Sequence, residues 1–422
     1  MSLPNLPQPS TDRLALLYRL SQTFSSTLDL DEVLDKVMDE VIAATRAERG
    51  FVMLYDAQRQ LTFQVARGLD QRTIEDPRFQ VSRSVIEKVA REGQAILTSD
   101  AQSDNRFSMR ESVMILGLRS ILCVPLKSKD TVLGIIYVDN RLQAGIFTQA
   151  DLELLTAIAA SASIAIENAR LYQVAVEKGR MERELQMARR VQASLLPSTA
   201  PEIPGWEIAT RWIPAREVAG DYFDFIEHPD GGLGIVIADV TDKGMHAALF
   251  MAATRSIVRA SVYGTALPAE AISQANRVIC DDAAATLYVT LVYAHLELES
   301  GKVTYVNAGH NPPLYYQTQR PDQVSELTRT GMLLGVEPAV DFQQQELWLQ
   351  PGDFILLYTD GINEAVNAAF EQYGTRRLKE LAIQYSSASA GAILEKLLES
   401  VDRFTNTDTL FDDITLILVK RR

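Results

Sequence analysis

The sequence predicts an α+β protein in which two globular regions are joined by one long helix. Three observations point there. At 422 residues the chain is too long for one typical core. From Gln149 to Leu196 there is no proline, and the only glycine is Gly179. On either side of that stretch, short apolar runs bounded by polar turns alternate with segments of helical periodicity.

Residues 1–11 are expected to be a disordered lead, since Met1 to Ser10 holds three prolines and no apolar core of a signal peptide. Residues 12–164 form the first region. Leu14, Leu17 and Leu20, then Leu30, Val33, Leu34, Val37 and Val41, recur at helical spacing. Strands are expected at Gly50 to Tyr55 and Leu61 to Val65, separated by the polar turn Asp56 to Gln60. A helix near Val85 to Arg91 precedes two more strands, Ser120 to Leu126 and Val132 to Val138. Helices flanking a mainly antiparallel sheet make an α+β domain.

Residues 165–197 are expected to be a helical coiled-coil linker. Leu171, Val174, Lys178, Met181, Leu185, Ala188, Gln192 and Leu195 alternate by three and four, a heptad seam with polar positions at Lys178 and Gln192. One amphipathic helix lying on a neighbouring domain would give the same spacing. The position between two globular regions and the charged flanks favour a parallel two-helix coil, hence a homodimer. Pro197, Pro201 and Pro204 stop the helix.

Residues 198–422 make the third region. Strands are expected at Trp206 to Trp212, Leu233 to Val240, Leu287 to Leu298, Val303 to Asn307, Phe354 to Tyr358 and Ile414 to Val419. Helices are expected at Met245 to Val262, Pro268 to Asp281 and Ala388 to Phe404. Long strands clustered around helix pairs fit a sheet sandwich with helices outside.

Bulk properties narrow the function. A net charge of −14 argues against a nucleic-acid or membrane-surface role. The two cysteines, Cys123 and Cys280, form no CxxC pair, so disulfide scaffolds and zinc-thiolate sites are not expected. Free thiols and no apolar run of the roughly 20 residues that span a bilayer suggest a cytoplasmic protein without membrane attachment.

The chemistry concentrates in the third region. Asp221, Asp239, Asp360 and Asp412 each stand at the edge of an apolar run, and Gly220 and Gly361 leave room for close backbone approach. One such acid alone reads as a turn or cap residue. Four together repel, by about 4 kcal/mol for a pair at about 4 Å, and need cations. Hard ions such as Mg²⁺ or Mn²⁺ suit carboxylate and carbonyl donors. Two of them would support hydrolysis at phosphorus.

Here the residues resemble a family. Residues 184–420 are similar to the metal-dependent PPM serine/threonine phosphatases, in the SpoIIE/RsbU branch. The similarity is carried by Glu184 to Pro197, Arg216 to Phe225, Ile237 to Leu249, Asn307 to Pro313, Tyr358 to Ala365 and Asp412 to Leu416. It implies an α-β-β-α sandwich and two Mn²⁺ or Mg²⁺ ions. Asp221 would bridge both, Asp239 with the Val240 carbonyl would hold one, and Asp360 with Asp412 would hold the other. Asp413 is expected to support these ligands from behind. Arg216 would grip phosphate, or else serve as a surface salt bridge. The eukaryotic relatives have a histidine where Thr241 stands, so the general acid is left open. His310 and His246 are expected to be structural, His246 alternatively facing substrate. Asp242 to Met251 resembles the family's switch helices.

Residues 12–170 resemble a GAF domain, through Ala47 to Tyr55, Ser120 to Leu126, Val132 to Val138 and Phe147-Thr148. That implies a sensor whose ligand is unknown, or a dimerisation module. Cys123 alternates with apolar neighbours and is expected in the core. Together these features suggest a GAF-regulated phosphatase. Its substrate would be a phosphorylated protein, and the resemblance implies an anti-sigma-factor antagonist of STAS type. The alternative is a non-catalytic scaffold that binds phosphoproteins.

Overall fold

A computed structural model describes residues 11–68, 81–101, 118–229, 231–265, 267–282, 287–407 and 410–422. The lead expected over Met1 to Ser10 lies outside them. The chain divides into two compact units, Met1–Arg180 and Met181–Arg422.

In the first unit α1 (Thr11–Phe24) and α2 (Leu30–Thr45) precede β1 (Arg49–Tyr55) and β2 (Leu61–Gly68). Then come α3 (Arg83–Glu92), β3 (Ile96–Thr98), β4 (Ser120–Ser128) and β5 (Thr131–Asn140). Asp29 caps α2 by accepting from the Glu32 N–H at 3.0 Å, so one otherwise unpaired first-turn donor is satisfied. The antiparallel sheet has the order β2-β1-β5-β4-β3. Strand alternation sorts its side chains: Val52 and Leu54 pack with α1 and α2, whereas Phe51 and Met53 pack with α3. Cys123 is buried on the α3 face. Across β1 and β5, Arg49 is bonded twice to Asp139, at 2.8 and 2.5 Å, and both are buried. Burial pushes Asp139 up to about 6 despite that partner.

One 47-residue helix, α4 (Gln149–Leu195), follows. At its start Asp151 accepts from the Thr148 N–H at 2.8 Å and hydroxyl at 2.6 Å. The stripe Leu155, Ile158, Ala159, Ala162, Ala165, Ile166 and Ala169 completes the first core. The buried stripe therefore runs past residue 164, into the segment expected to be linker. Beyond it Leu171, Val174 and Met181 are 62%, 66% and 58% exposed. The expectation that no run is apolar enough for a membrane also needs amending. An 18-residue window of α4 is apolar enough by length and composition, with 39% of it buried. The core stripe accounts for much of that apolar content.

The second unit contains β6 (Trp206–Ile213), β7 (Tyr222–Glu227), β8 (Leu233–Val240), α5 (Met245–Gly264), α6 (Pro268–Asp282), β9 (Val289–Leu296) and β10 (Lys302–Ala308). It continues with β11 (Leu314–Tyr316), β12 (Val324–Glu326), β13 (Gln345–Trp348), β14 (Phe354–Tyr358), α7 (Asp360–Asn363), α8 (Gly374–Gln384), α9 (Ala390–Thr405) and β15 (Ile414–Arg421). Two antiparallel sheets, β13-β10-β9-β8-β7 and β12-β11-β14-β15-β6, face each other. Ile355, Leu357, Ile417 and Val419 point into the layer between the sheets, with Ile235 and Ile237. Their neighbours Phe354, Leu356, Leu416 and Leu418 point outward under α8 and α9. Helices α5 and α6 cover the opposite sheet through Met251, Val258, Ile272 and Ile279. The result is an α-β-β-α sandwich.

The sequence reading omitted β7, although it holds Tyr222 and Phe223 in the core. Its Asp224 interrupts the apolar run, yet Arg255 at 3.5 Å and Arg259 at 3.1 Å on α5 pair with that buried acid. The heptad reading also needs correction at its end. Gln192 is buried and bonded to its own domain: its amide donates to the Ala219 carbonyl at 2.7 Å and accepts from the Ala219 N–H at 2.9 Å. Leu196 enters the second core. The seam cannot extend through Gln192.

Candidate metal and phosphate site

The two sheets deliver acids to the same end of the sandwich. Asp221 directly precedes β7, and Asp239 lies near the end of its partner β8, where Tyr222 pairs with Ala238. Asp360 opens α7 just after β14, and Asp412 and Asp413 directly precede its partner β15. Hydrogen bonds tie the two pairs together. One Asp221 oxygen accepts from Thr359 at 2.7 Å and from Thr415 at 2.6 Å. Asp239 stands close enough to Asp221 for its charge to act on that carboxyl. The Val240 carbonyl lies over Gly220, where an added Cβ would stand 2.9 Å from that oxygen and 3.7 Å from Asp239 Oδ1. At Gly361 a Cβ would meet the Asp413 carbonyl at 2.0 Å, so only glycine fits.

Crowding raises the carboxyls. Burial first, then the charges of Asp239 and Asp413, lifts Asp221 well above the usual carboxylate range. Burial, then Asp360, Asp412 and Asp413, pushes Asp239 up to about 8. Burial, then Asp412 and Glu364, pushes Asp360 up to about 6 against the opposing pull of Lys243. Partly desolvated acids that raise one another in this way want a cation. The donor set, carboxylates and one backbone carbonyl, fits a hard divalent ion. Among the described residues no three acidic, imidazole or thiol groups are already drawn into a finished cage. The fold supplies converging ligands held by other bonds.

Asp413 does a separate job. One of its oxygens accepts from the Ala215 N–H and the other from the Gly220 N–H, both at 2.8 Å. A single carboxylate thus clamps both ends of the loop that carries Arg216. Arg216 is exposed there and makes no hydrogen bond or ion pair among the described residues. His246 is exposed on the first turn of α5. His310 is buried, with Nδ1 2.7 Å from the Thr290 hydroxyl. Burial pushes it down to about 4, so it is neutral.

Sequence reasoning missed three residues of this site. Thr359 and Thr415 stand beside the quoted acids, and their signal was a threonine whose hydroxyl has nowhere to go but inward. Lys243 lay within the quoted switch segment; it donates to Asp412 at 2.7 Å. No local pattern distinguishes it from a surface lysine.

Comparison with known proteins agrees with this architecture. Residues 229–422 match the sequence profile of the family described as stage II sporulation protein E (SpoIIE). That stretch takes in Asp239, Val240, Asp360 and Asp412 but not Arg216 or Asp221. Residues 27–167 match the GAF domain profile. The phosphoserine phosphatase RsbU of Bacillus subtilis is 29% identical over 241 residues, 57% of this chain and 70% of that protein. Protein IcfG of Synechocystis is 30% identical over 58% of this chain, but the match spans only 43% of its own length. The SiaA-PP2C domain of Pseudomonas aeruginosa superposes with a TM-score of 0.53 at 20% identity, over 59% of this chain and 99% of that domain. The last likeness concerns the fold.

Proposed function

The chain joins a GAF domain to a SpoIIE-type PPM phosphatase domain, and on that premise we propose that it is a GAF-regulated, metal-dependent protein serine/threonine phosphatase of partner-switching signalling. The observation that carries this reading is the gathering of Asp221, Asp239, Asp360 and Asp412 at one end of the sandwich, with Asp221 bonded across the two sheets to Thr359 and Thr415. Asp221 would bridge two ions, with Asp239 and the Val240 carbonyl on one and Asp360 and Asp412 on the other. Bound Mn²⁺ or Mg²⁺ supplies positive charge to the phosphate and lowers the pKa of water.

The chain's own residues orient and hold. Thr359 and Thr415 fix one oxygen of the Asp221 carboxylate. Asp413 shapes the Arg216 loop, from which the guanidinium can meet phosphate oxygens. Solvent or another group would protonate the leaving alkoxide. The substrate would be a phosphoserine or phosphothreonine protein, and an anti-sigma-factor antagonist of STAS type is the class the reading favours. The exposed seam of Leu171, Val174 and Met181 suits a second copy of the chain. A cytoplasmic location goes with this role.

The test is turnover of p-nitrophenyl phosphate and of a phosphoserine peptide by the full chain. Activity should require Mn²⁺ or Mg²⁺ and fall at least a hundredfold in Asp239→Asn, on the order of the several kcal/mol that metal polarisation supplies. Zero turnover with every divalent ion, alongside binding of phosphopeptide, would instead establish the scaffold.

A further inference from the structure

Lys243 lies in the loop Thr241 to Gly244, which joins β8, bearer of Asp239, to α5. Its ammonium donates to Asp412 Oδ2 at 2.7 Å and to the Phe411 carbonyl at 2.8 Å. Among the described residues this is the one ion pair made by any of Asp221, Asp239, Asp360, Asp412 and Asp413. The backbone on either side is unusual. Asp242 has φ 78° and Gly244 φ 87°, both left-handed. The Asp242 carboxylate accepts the Lys243 N–H at 2.8 Å, which holds the turn. A non-glycine residue in that region costs energy, and here the turn sends the lysine back to the start of β15.

We propose that Lys243 is an internal counter-cation that competes with a divalent ion for Asp412. Ion binding then displaces the ammonium and frees the β8–α5 loop from β15. The inference rests on the metal-site reading above. Exposure decides that the competition can be won by either side. Lys243 and Asp412 are both 41% exposed, and an ion pair so open to water is weak. A divalent ion with several oxygen ligands can displace it, whereas a buried pair would block the site. The coupling is reciprocal. Whatever presses the loop toward Asp412 weakens the ion, and whatever draws α5 away strengthens it.

The experiment is titration of the full chain with Mn²⁺, with free ion read by electron paramagnetic resonance. Wild type is compared with Lys243→Met and Lys243→Arg. The Lys243→Met variant should bind its weaker ion roughly two- to fivefold more tightly, the range an exposed pair can contribute. The Lys243→Arg variant keeps the charge and should stay within about twofold of wild type. Unchanged or weaker binding by Lys243→Met, in a chain whose wild type binds Mn²⁺, overturns the inference and leaves the metal site standing. Absence of Mn²⁺ binding in wild type and variants alike removes both.

Discussion

Thr359 and Thr415 give their hydroxyl hydrogens to the same oxygen of Asp221. Partners behind a ligand commonly account for tenfold to a hundredfold in metal affinity. Thr415→Val should therefore weaken Mn²⁺ binding by roughly 10–100-fold with little change in circular dichroism. His310 makes a different kind of prediction. Its folded pKa, about 4, lies below the ordinary value of 6.5, so the unfolded chain takes up its proton first. This contribution to stability is present above pH 6.5 and is lost as pH falls toward 4. Its full size is about 3 kcal/mol. Asp239 and Asp360, raised to about 8 and 6, act in the opposite sense in metal-free protein. The comparison to make is thus between wild type and His310→Gln. The variant's denaturant midpoint should fall less between pH 7 and pH 4.5 than that of wild type.

At the scale of elements, the most consequential bond pair joins α4 to the Asp221 loop. Gln192 satisfies both the N–H and the carbonyl of buried Ala219, two residues before Asp221. Gln192→Ala should destabilise the second unit by about 2–3 kcal/mol, because two buried backbone groups lose their partners. Urea melts of the full chain, read by tryptophan fluorescence, would check this. Heptad spacing had placed Gln192 in a seam between helices. Spacing reports which residues share a helix face, not what covers that face. The long strands were legible for the opposite reason. Leu233 to Val240 and Phe354 to Tyr358 are buried nearly throughout, so each reads as an unbroken apolar run. β11 and β12 have three residues each, too few to show a period. β7 was hidden by Asp224, whose arginine partners come from a helix some 30 residues downstream. The acids at strand ends were readable one by one. Their bonds to Thr359 and Thr415 were not, because those depend on how the two sheets dock.

For the whole molecule, the exposed seam of α4 carries the prediction about assembly. Val174 and Met181, 66% and 58% exposed, should lie at the interface of a parallel dimer. The double variant Val174→Glu, Met181→Glu should sediment at half the mass of wild type, and a wild-type chain that is monomeric at micromolar concentration would end the idea.

The order of the second sheet has a further effect, felt during synthesis. Strand β15 is interior, hydrogen-bonded to β14 on one side and to β6 on the other, and it is led by Asp412 and Asp413. Until that strand has cleared the ribosome, β6 and β14 have no common neighbour, Asp221 lacks Thr415, and the Arg216 loop lacks its clamp. A translation arrest between the end of α4 and β15 would thus release a product whose first unit is whole and whose second unit lacks Asp412, Asp413 and Thr415.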